Sequence, residues 1–395
     1  MQTLKKYLIS NKLHLNSESS FGFLSSPALL SNSSTDYLKI NYLIRSWSFS
    51  TSKVNYSSNQ YSCKKSAENS KSVIQFLQKL GFSNTQMQSA VRVAPRILLS
   101  DIDRTLKPKI QFFQEEGFVG SDLAEFISKN SSVLSFSLNR RLAPCVEILK
   151  KVLLNDKSNK GLIPVLKRCS WLVCAHPELV LSRNIAFLNS CGIVGSQLAW
   201  LLRRQPRLFV RPDSVVRDNV SRALDMGFSV NSRMLVYAVY TISCLSEKSL
   251  KKKFELIRSY GFSENESMMM FRKAPLLLMA SEDKLKLGIE FFLNIMGFKK
   301  ELLIGRPACL MHSLEDRIFP RYRVLQVLRS KEFLKRNMSF LELVALTEEK
   351  FIEKFISRFK DDVEELLVAY KSHLLDSSSS SDEEGPCKGE FTNSS

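Results

Sequence analysis

The sequence lacks most of the features by which a metalloprotein or an enzyme is recognised. None of its eight cysteines forms a C-x-x-C pair, and its four histidines are scattered along the chain. The one cluster, Cys169, Cys174 and His176, does not have the spacing of a zinc site. No phosphate-binding glycine loop and no H-E-x-x-H motif is present. We therefore expect no metal, no cofactor and no enzymatic activity, and the dispersed cysteines are typical of buried, reduced thiols.

Long apolar runs and acidic residues are also scarce. No apolar stretch approaches the ~18 residues that a membrane span requires. Asp and Glu number 39 against 57 Lys and Arg, so the formal net charge is +18. Such an excess favours a polyanionic partner, either nucleic acid or an anionic membrane surface, and a basic surface without a ligand is the alternative.

Both ends of the chain differ in composition from the middle. Residues 1–66 contain 17 serines, eight Lys or Arg and two acids, and the stretch from Arg45 to Thr51 is similar to the cleavage region of a mitochondrial presequence. A Ser-rich, acid-poor leader predicts an organellar transit peptide, mitochondrial or alternatively chloroplastic, unless the segment is a disordered leader. Residues 372–395 are Ser-rich and acidic, which predicts a disordered tail. Residues 67–371 remain as the folded domain.

One sequence motif recurs along this middle region. It reads "RVAPRILLS" from Arg92, "RRQPRLFVR" from Arg203 and "FRKAPLLLM" from Phe271, and each time a glycine precedes the proline by 14 residues. We call the place of this proline the break position. The seven break positions are Pro95, Ser131, Ser170, Pro206, Thr241, Pro275 and Pro307. Their spacing of 32 to 39 residues predicts stacked supersecondary units with a period of about 35.

The residues of each unit predict its local structure. An apolar stripe at helical spacing precedes the glycine, which supplies the left-handed conformation that ends a helix. A serine then caps a second helix, in the five units that contain Ser83, Ser121, Ser196, Ser229 and Ser263. The break position ends that helix, and the apolar residues after it form one buried helical turn. Since one such unit cannot bury its own apolar face, we predict an all-α solenoid of stacked two-helix-plus-short-turn repeats.

The spacing from Gly-Phe to Pro-x-Ile/Leu-Leu resembles that of the mitochondrial transcription termination factor (mTERF) family in its plant organellar form, over roughly residues 70–335. The stretches Leu314 to Arg336 and Thr347 to Phe359 are also similar to the end of plant members. The resemblance implies an α-solenoid that binds double-stranded nucleic acid along a basic groove and acts in organelle transcription, termination or RNA maturation. Three lost prolines and a shortened last unit put local helix geometry in doubt. Tetratricopeptide and pentatricopeptide repeats have a similar period but do not share this motif spacing.

Contacts to phosphates require many spaced cations rather than a pocket, and three clusters offer them. The candidate nucleic-acid-binding residues are Arg203, Arg204, Arg207 and Arg211; then Lys251 and Lys252, beside Lys253 and Arg258; and then Arg317, Arg321, Arg323, Arg329, Lys331 and Lys335, beside Arg336. The all-arginine cluster suits bidentate contacts to phosphate or guanine. The third cluster is the densest. A solvated face is the alternative for the second and third clusters, and an arginine that precedes a proline either faces a ligand or caps its helix.

Three functions remain open from the sequence. The first is regulation of organellar transcription by a protein that binds double-stranded DNA along a basic solenoid groove. The second is RNA binding in intron splicing or ribosomal RNA maturation, and the third is a protein-interaction scaffold. The net charge argues against the scaffold, because its partner would have to be very acidic. We expect a monomer with nucleic acid as its partner, no membrane association and a mitochondrial location, with the chloroplast as the alternative.

Overall fold

The computed structural model describes residues 60–154, 161–333 and 339–378. Within these residues all regular structure is helical, which confirms the predicted all-α class. The predicted leader (1–66) and tail (372–395) lie largely outside the described residues. Helical structure nevertheless passes both predicted boundaries, because the first described helix begins at Gln60 and the last one ends at Ser378. No described helix is long and apolar enough to cross a membrane.

The first compact unit comprises the described residues up to Ser243. Its described helices are Gln60–Lys79 (α1), Asn84–Val93 (α2), Lys107–Glu115 (α3), Ser121–Lys129 (α4), Ala143–Val152 (α5), Leu162–Arg168 (α6), Trp171–Cys174 (α7), Arg183–Ser190 (α8), Gly195–Arg204 (α9), Asp213–Asp225 (α10) and Leu235–Cys244 (α11). Short 3₁₀ turns follow α2, α4 and α9 at Pro95–Leu99, Ser131–Ser135 and Pro206–Val210. Single π-helical turns lead into α3, α5 and α8 at Ile102–Leu106, Leu138–Leu142 and Pro177–Ser182. Each repeat thus pairs a first helix with a second helix, as predicted.

The second compact unit comprises the described residues from Cys244 onward. Its described helices are Glu247–Ser259 (α12), Glu264–Lys273 (α13), Glu282–Glu290 (α14), Lys300–Gly305 (α15), Phe319–Ser330 (α16), Phe340–Ala345 (α17), Glu348–Ile352 (α18) and Val363–Ser378 (α19). Short 3₁₀ turns follow α13 and α15 at Pro275–Met279 and Pro307–Met311, and a third at Lys360–Asp362 precedes α19. Single π-helical turns lie at Phe291–Ile295, Leu314–Ile318 and Glu353–Ser357. The two-helix repeat therefore continues through α15, and α16 to α19 complete the unit.

The turn between the two helices of a repeat follows the predicted chemistry in part. The six turn glycines all have a positive φ, between 64° and 96°, as the position after a helix end requires. Ser83 and Ser263 cap their helices and form capping boxes. The other three predicted caps are wrong, because Gly120 and Val194 hold the N-cap positions of α4 and α9 and α11 begins only at Leu235.

The short turn after the second helix is a buried part of the core. Leu277 in the turn Pro275–Met279 is 0% exposed, which confirms its predicted burial. The turn changes at two of the three break positions that have lost the proline, whereas Ser131 keeps the 3₁₀ turn. Ser170 is followed by the α-helical turn α7, and α11 continues through Thr241 without a break. Thr241 has no ring to restrict the residue before it, so nothing forces the helix to stop there.

A buried donor on the first helix binds the carbonyls of the short turn in several repeats. Asn184 Nδ2 donates to Phe209 O at 2.9 Å, and Lys253 Nζ donates to Leu278 O at 2.7 Å. These carbonyls end a helical turn and have no partner within it. We call these side chains the turn-capping donors. Three of them, each 22 residues before a break position, are Lys109, Asn184 and Lys253.

Candidate nucleic-acid interface

Four arginines lie on the surface of the first unit around the end of α9. Arg203 and Arg204 are the last residues of α9, Arg207 lies in the turn Pro206–Val210, and Arg211 directly follows that turn. All four are exposed, and none forms an ion pair with a described residue. Apolar side chains before and between them are buried in the core: Leu201, Leu202, Leu208 and Phe209. The alternation of buried leucine and exposed arginine thus places these cations, the α9 arginines, on one side of the chain.

Arg168, at the end of α6, holds the end of α9 in place. Its Nη1 donates to Arg203 O at 2.6 Å and to Arg204 O at 3.5 Å. Carbonyls in the last turn of a helix lack intrahelical partners, so this contact caps α9. Lys273 has the same place in its own repeat, two residues before the break position, and donates to Ile304 O at 2.9 Å. Arg204 also stands two residues before a break position, but α11 continues through Thr241 and offers no unpartnered helix end there.

The ends of other second helices carry exposed cations with less available charge. Arg92 near the end of α2 is exposed. Lys129 at the end of α4 is 2.6 Å from Glu125, and Lys167 at the end of α6 is 2.7 Å from Asp122. The end of α9 is therefore the most strongly positive of these helix ends.

Trp171, which sequence reasoning did not single out, lies beside the α9 arginines. It is the first residue of α7 and is 61% exposed. Helix α7 packs against the turn Pro206–Val210. Trp171 follows its break position by one residue, as Arg207 does in the next repeat. An alignment of the repeats could have shown that the two side chains occupy equivalent positions in adjacent turns.

A second aromatic group lies on α9 itself. Trp200 precedes Arg203 and Arg204 by three and four residues, so these side chains share one face of the helix. Its ring contacts the rings of Tyr237 and Tyr240 on α11, with centroids 4.7 Å and 5.2 Å away, both edge to face. All three aromatic residues are half-buried. The surface around the α9 arginines therefore contains aromatic rings as well as cations.

The second predicted cluster, on α12, carries less available charge than its sequence indicates. Lys251 and Lys252 are exposed, but Lys251 is 3.9 Å from Glu255 and Lys252 is 2.8 Å from Glu282. The hydrogen bond to Glu282 raises the pKa of Lys252 above its ordinary value. Lys253 is buried and is one of the turn-capping donors.

Arg321 was predicted to contact phosphate, but it lies in the core. Its side chain is 0% exposed. Its Nη1 donates to Leu343 O at 2.8 Å, Val344 O at 3.0 Å and Leu346 O at 2.8 Å, and its Nη2 is 3.2 Å from Glu348. These carbonyls lie at the end of α17 instead of in a short turn, so Arg321 caps a helix end in the way that the turn-capping donors cap their turns. It is therefore withdrawn from the candidate surface.

The rest of the third cluster is divided between the core and the surface. Arg317 is half-buried, with Nη1 3.1 Å from His312 Nδ1. Arg323 is also half-buried, and its Nε and Nη2 are buried without a hydrogen-bond partner. Lys331 forms ion pairs with Asp362 and Glu365. Arg329 is exposed. Lys335 and Arg336 lie outside the described residues.

The buried cysteine thiols have structural rather than chemical roles. The prediction of buried thiols is confirmed for Cys145, Cys169, Cys174, Cys191 and Cys309, and is wrong for Cys244, which is exposed. Burial raises the pKa of Cys174 to about 12, so this thiol stays protonated at neutral pH. Burial also raises the pKa of Cys169, and the nearby charge of Arg207 opposes this in part. Within the described ranges no group of three or more His, Cys, Asp or Glu could hold a metal ion.

The fold and this surface define an all-α repeat protein with an arginine-rich face. The sequence profile of the mTERF family matches residues 74–240 and 234–352, and the chain belongs to that family.

Three relatives from Arabidopsis thaliana are similar to this chain. The chloroplastic transcription termination factor MTERF8 is 24% identical over 193 residues, which cover 49% of this chain and 37% of the relative. The mitochondrial factor MTEF18 is 30% identical over 105 residues (27% and 19%), and the mitochondrial factor MTERF15 is 24% identical over 129 residues (31% and 29%). The matched stretches thus cover well under two thirds of each relative.

Proposed function

We propose that this protein is an organellar nucleic-acid-binding regulator of transcription, acting at termination or a related step by binding double-stranded DNA along the basic surface of its repeats. The α9 arginines carry the proposal, because they are exposed and no described carboxylate neutralises them. A guanidinium presents a rigid fork of donors that matches a phosphate bidentately. The relatives named as transcription termination factors support the regulatory role. The protein binds rather than catalyses in this proposal, as a monomer and away from membranes.

RNA is the second candidate ligand. The aromatic side chains beside the α9 arginines favour it, because sequence-specific RNA recognition relies on unstacked bases that pack against aromatic rings. The role on double-stranded DNA remains the first proposal, because the arginines that carry it can bind phosphates without unpaired bases.

A salt titration tests the binding surface. Each phosphate contact on duplex DNA contributes roughly −0.9 to the slope of log affinity against log salt. Changing Arg203, Arg204, Arg207 and Arg211 to alanine should therefore make the slope shallower by roughly three to four. The affinity of the full chain for duplex DNA is measured at several salt concentrations. A parent without measurable affinity for DNA or RNA at low salt would overturn the proposal.

A matched control removes four exposed lysines of the second unit: Lys248, Lys251, Lys252 and Lys286. Its charge change equals that of the arginine variant. We expect a smaller change in slope, because Lys251 and Lys252 are ion-paired. An equal or larger change would move the main binding surface from α9 to α12.

An organellar location is part of the proposal. Two of the three named relatives are mitochondrial and one is chloroplastic, and the stretch from Arg45 to Thr51 favours mitochondria. A reporter fused to residues 1–66 should enter mitochondria. Exclusive import into chloroplasts would select the alternative, and a cytosolic signal would contradict both.

A further inference from the structure

Trp171 has no structural reason for its exposure. A tryptophan that is 61% exposed contributes little to the core, and the first unit already buries a continuous set of apolar residues beneath it. Its neighbours Leu172, Val173 and Cys174 are buried, so α7 is fixed in place and presents Trp171 outward. A large rigid ring held outward on a packed turn is suited to contact a ligand.

The surroundings of Trp171 are cationic. Arg168 is three residues earlier and is hydrogen-bonded to the backbone of Arg203. Arg207 occupies the equivalent position of the adjacent turn. The Trp171 ring thus lies next to arginine side chains that can bind phosphates.

A second aromatic group lies on α9, about one helical turn before Arg203 and Arg204. Trp200 meets Tyr237 and Tyr240 edge to face, at interplanar angles of 71° and 72°. In an edge-to-face pair the ring that supplies its edge keeps both faces clear of its partner. Since all three residues are only half-buried, part of this group remains accessible to a ligand.

We infer that this face, formed by α7, α9 and α11, binds unpaired nucleotides: Trp171 and the Trp200–Tyr237–Tyr240 group stack on bases while the α9 arginines hold the phosphates between them. The inference rests on the proposed nucleic-acid binding and deepens it. Bases in a closed duplex are covered by their neighbours and offer no face to a protein ring, whereas a single strand offers one at every base. Duplex DNA uses the arginine contacts alone, whereas the ligand that also uses the aromatic rings is a single-stranded segment, and stacking itself does not distinguish RNA from DNA.

The test compares three labelled probes of equal length: a U oligonucleotide, a dT oligonucleotide and a DNA duplex. In the full chain, Trp171→Ala should weaken binding of both single strands by about 5- to 150-fold, the range for loss of one stacked base. Binding of the duplex should change by less than about twofold, because the phosphate contacts are intact. Trp171→Phe keeps an aromatic ring and should restore most of the affinity for single strands.

The control is Val194→Ala, which changes an apolar side chain that is 52% exposed at the opposite end of α9. It should leave the affinity for every probe unchanged. Unchanged single-strand binding by Trp171→Ala, or an equal loss for single strands and duplex, overturns the inference. The α9 arginine variant should lose affinity for all three probes, so a failure of the proposed function is distinguishable from a failure of stacking.

Discussion

Replacing Arg321 by methionine should destabilise the second unit and leave the surface charge of the protein almost unchanged. The side chain is fully buried and joins α16 to the segment Leu343–Glu348 through three backbone carbonyls and one carboxylate. Its guanidinium also lies 4.6 Å from the centre of the Phe351 ring. Methionine fills a similar volume but can donate no hydrogen bond, so these acceptors lose their donor.

The expected loss of unfolding free energy depends on which of these acceptors keep another hydrogen-bond donor. Leu343 O still accepts from Leu346 N at 3.3 Å, and Leu346 O still accepts from Arg317 Nη2 at 3.2 Å. Val344 O loses its one described donor, at a cost of about 1–3 kcal/mol for a buried unsatisfied group. Glu348 is half exposed and remains solvated, so its lost ion pair adds little. The lost charge-assisted hydrogen bonds to the carbonyls and the contact with Phe351 add more, so we expect a total of about 3–5 kcal/mol.

Urea unfolding of the full chain measures this difference, with amide exchange in α17 and α18 reporting on the second unit. A loss of about 4 kcal/mol lowers the urea midpoint by roughly 2 M when the slope is near 2 kcal/mol per M. Arg329→Met is the control, since Arg329 is exposed on the same helix and should change stability by less than about 0.5 kcal/mol. If Arg321→Met unfolds like its parent and instead loses affinity for nucleic acid, the assignment of Arg321 to the core is refuted.

Two further outcomes follow from the same structure. Gly192→Ala places a Cβ 2.0 Å from Asn231 Oδ1 and 2.8 Å from Asn231 Cα at φ +81°, whereas Gly81→Ala meets nothing within 4 Å at φ +86°. Thermal unfolding should show a loss of about 3 kcal/mol or more for the first and about 1–2 kcal/mol for the second, and equal losses would contradict the close approach. Burial lowers the pKa of His312, with Arg317, Arg321 and Lys284 adding to the effect, so the folded state favours the neutral ring. Unfolding free energy should therefore fall as the pH drops below about 6.5, and His312→Gln should reduce that fall; a parent and variant with the same pH dependence would remove His312 as the cause.

The repeat was predictable from sequence because the residues that end its helices act locally. A glycine that ends one helix and a proline that ends the next act on their immediate neighbours, so their spacing survives in the sequence whatever the rest of the fold does. The same reasoning explains where prediction failed. The three break positions without proline have no such restriction. Ser131 keeps the 3₁₀ turn, Ser170 is followed by the α-helical turn α7, and α11 continues through Thr241 without interruption.

The candidate surface was harder to predict, because a cation in a sequence does not reveal its partner. Lys252 and Lys331 are counted as positive charges, yet each lies against a carboxylate from a segment distant in the chain. Trp171 was missed for the opposite reason, since a tryptophan in an apolar context is ordinarily assigned to the core. Both errors concern tertiary contacts, which neither periodicity nor composition contains.

The turn-capping donors are an exception, because their positions did carry a usable signal. Lys109 lies between Leu106 and Phe113, and Lys253 lies between Leu250 and Ile257, three residues after one buried residue and four before the next. Arg321 has the same relation to Ile318 and Leu325.

A polar residue at such a place in an apolar helical stripe must point into the core, where it persists only if acceptors meet it there. The carbonyls at the ends of the short turns, and of α17 for Arg321, are those acceptors. Lys and Arg side chains at these positions of the apolar stripe therefore stabilise the fold and are not available to a ligand. Their charges have to be subtracted before the net charge of +18 is used to estimate a binding surface. An estimate of phosphate contacts from composition alone is too high, and the measured salt slope should match the smaller number of cations that remain exposed and unpaired.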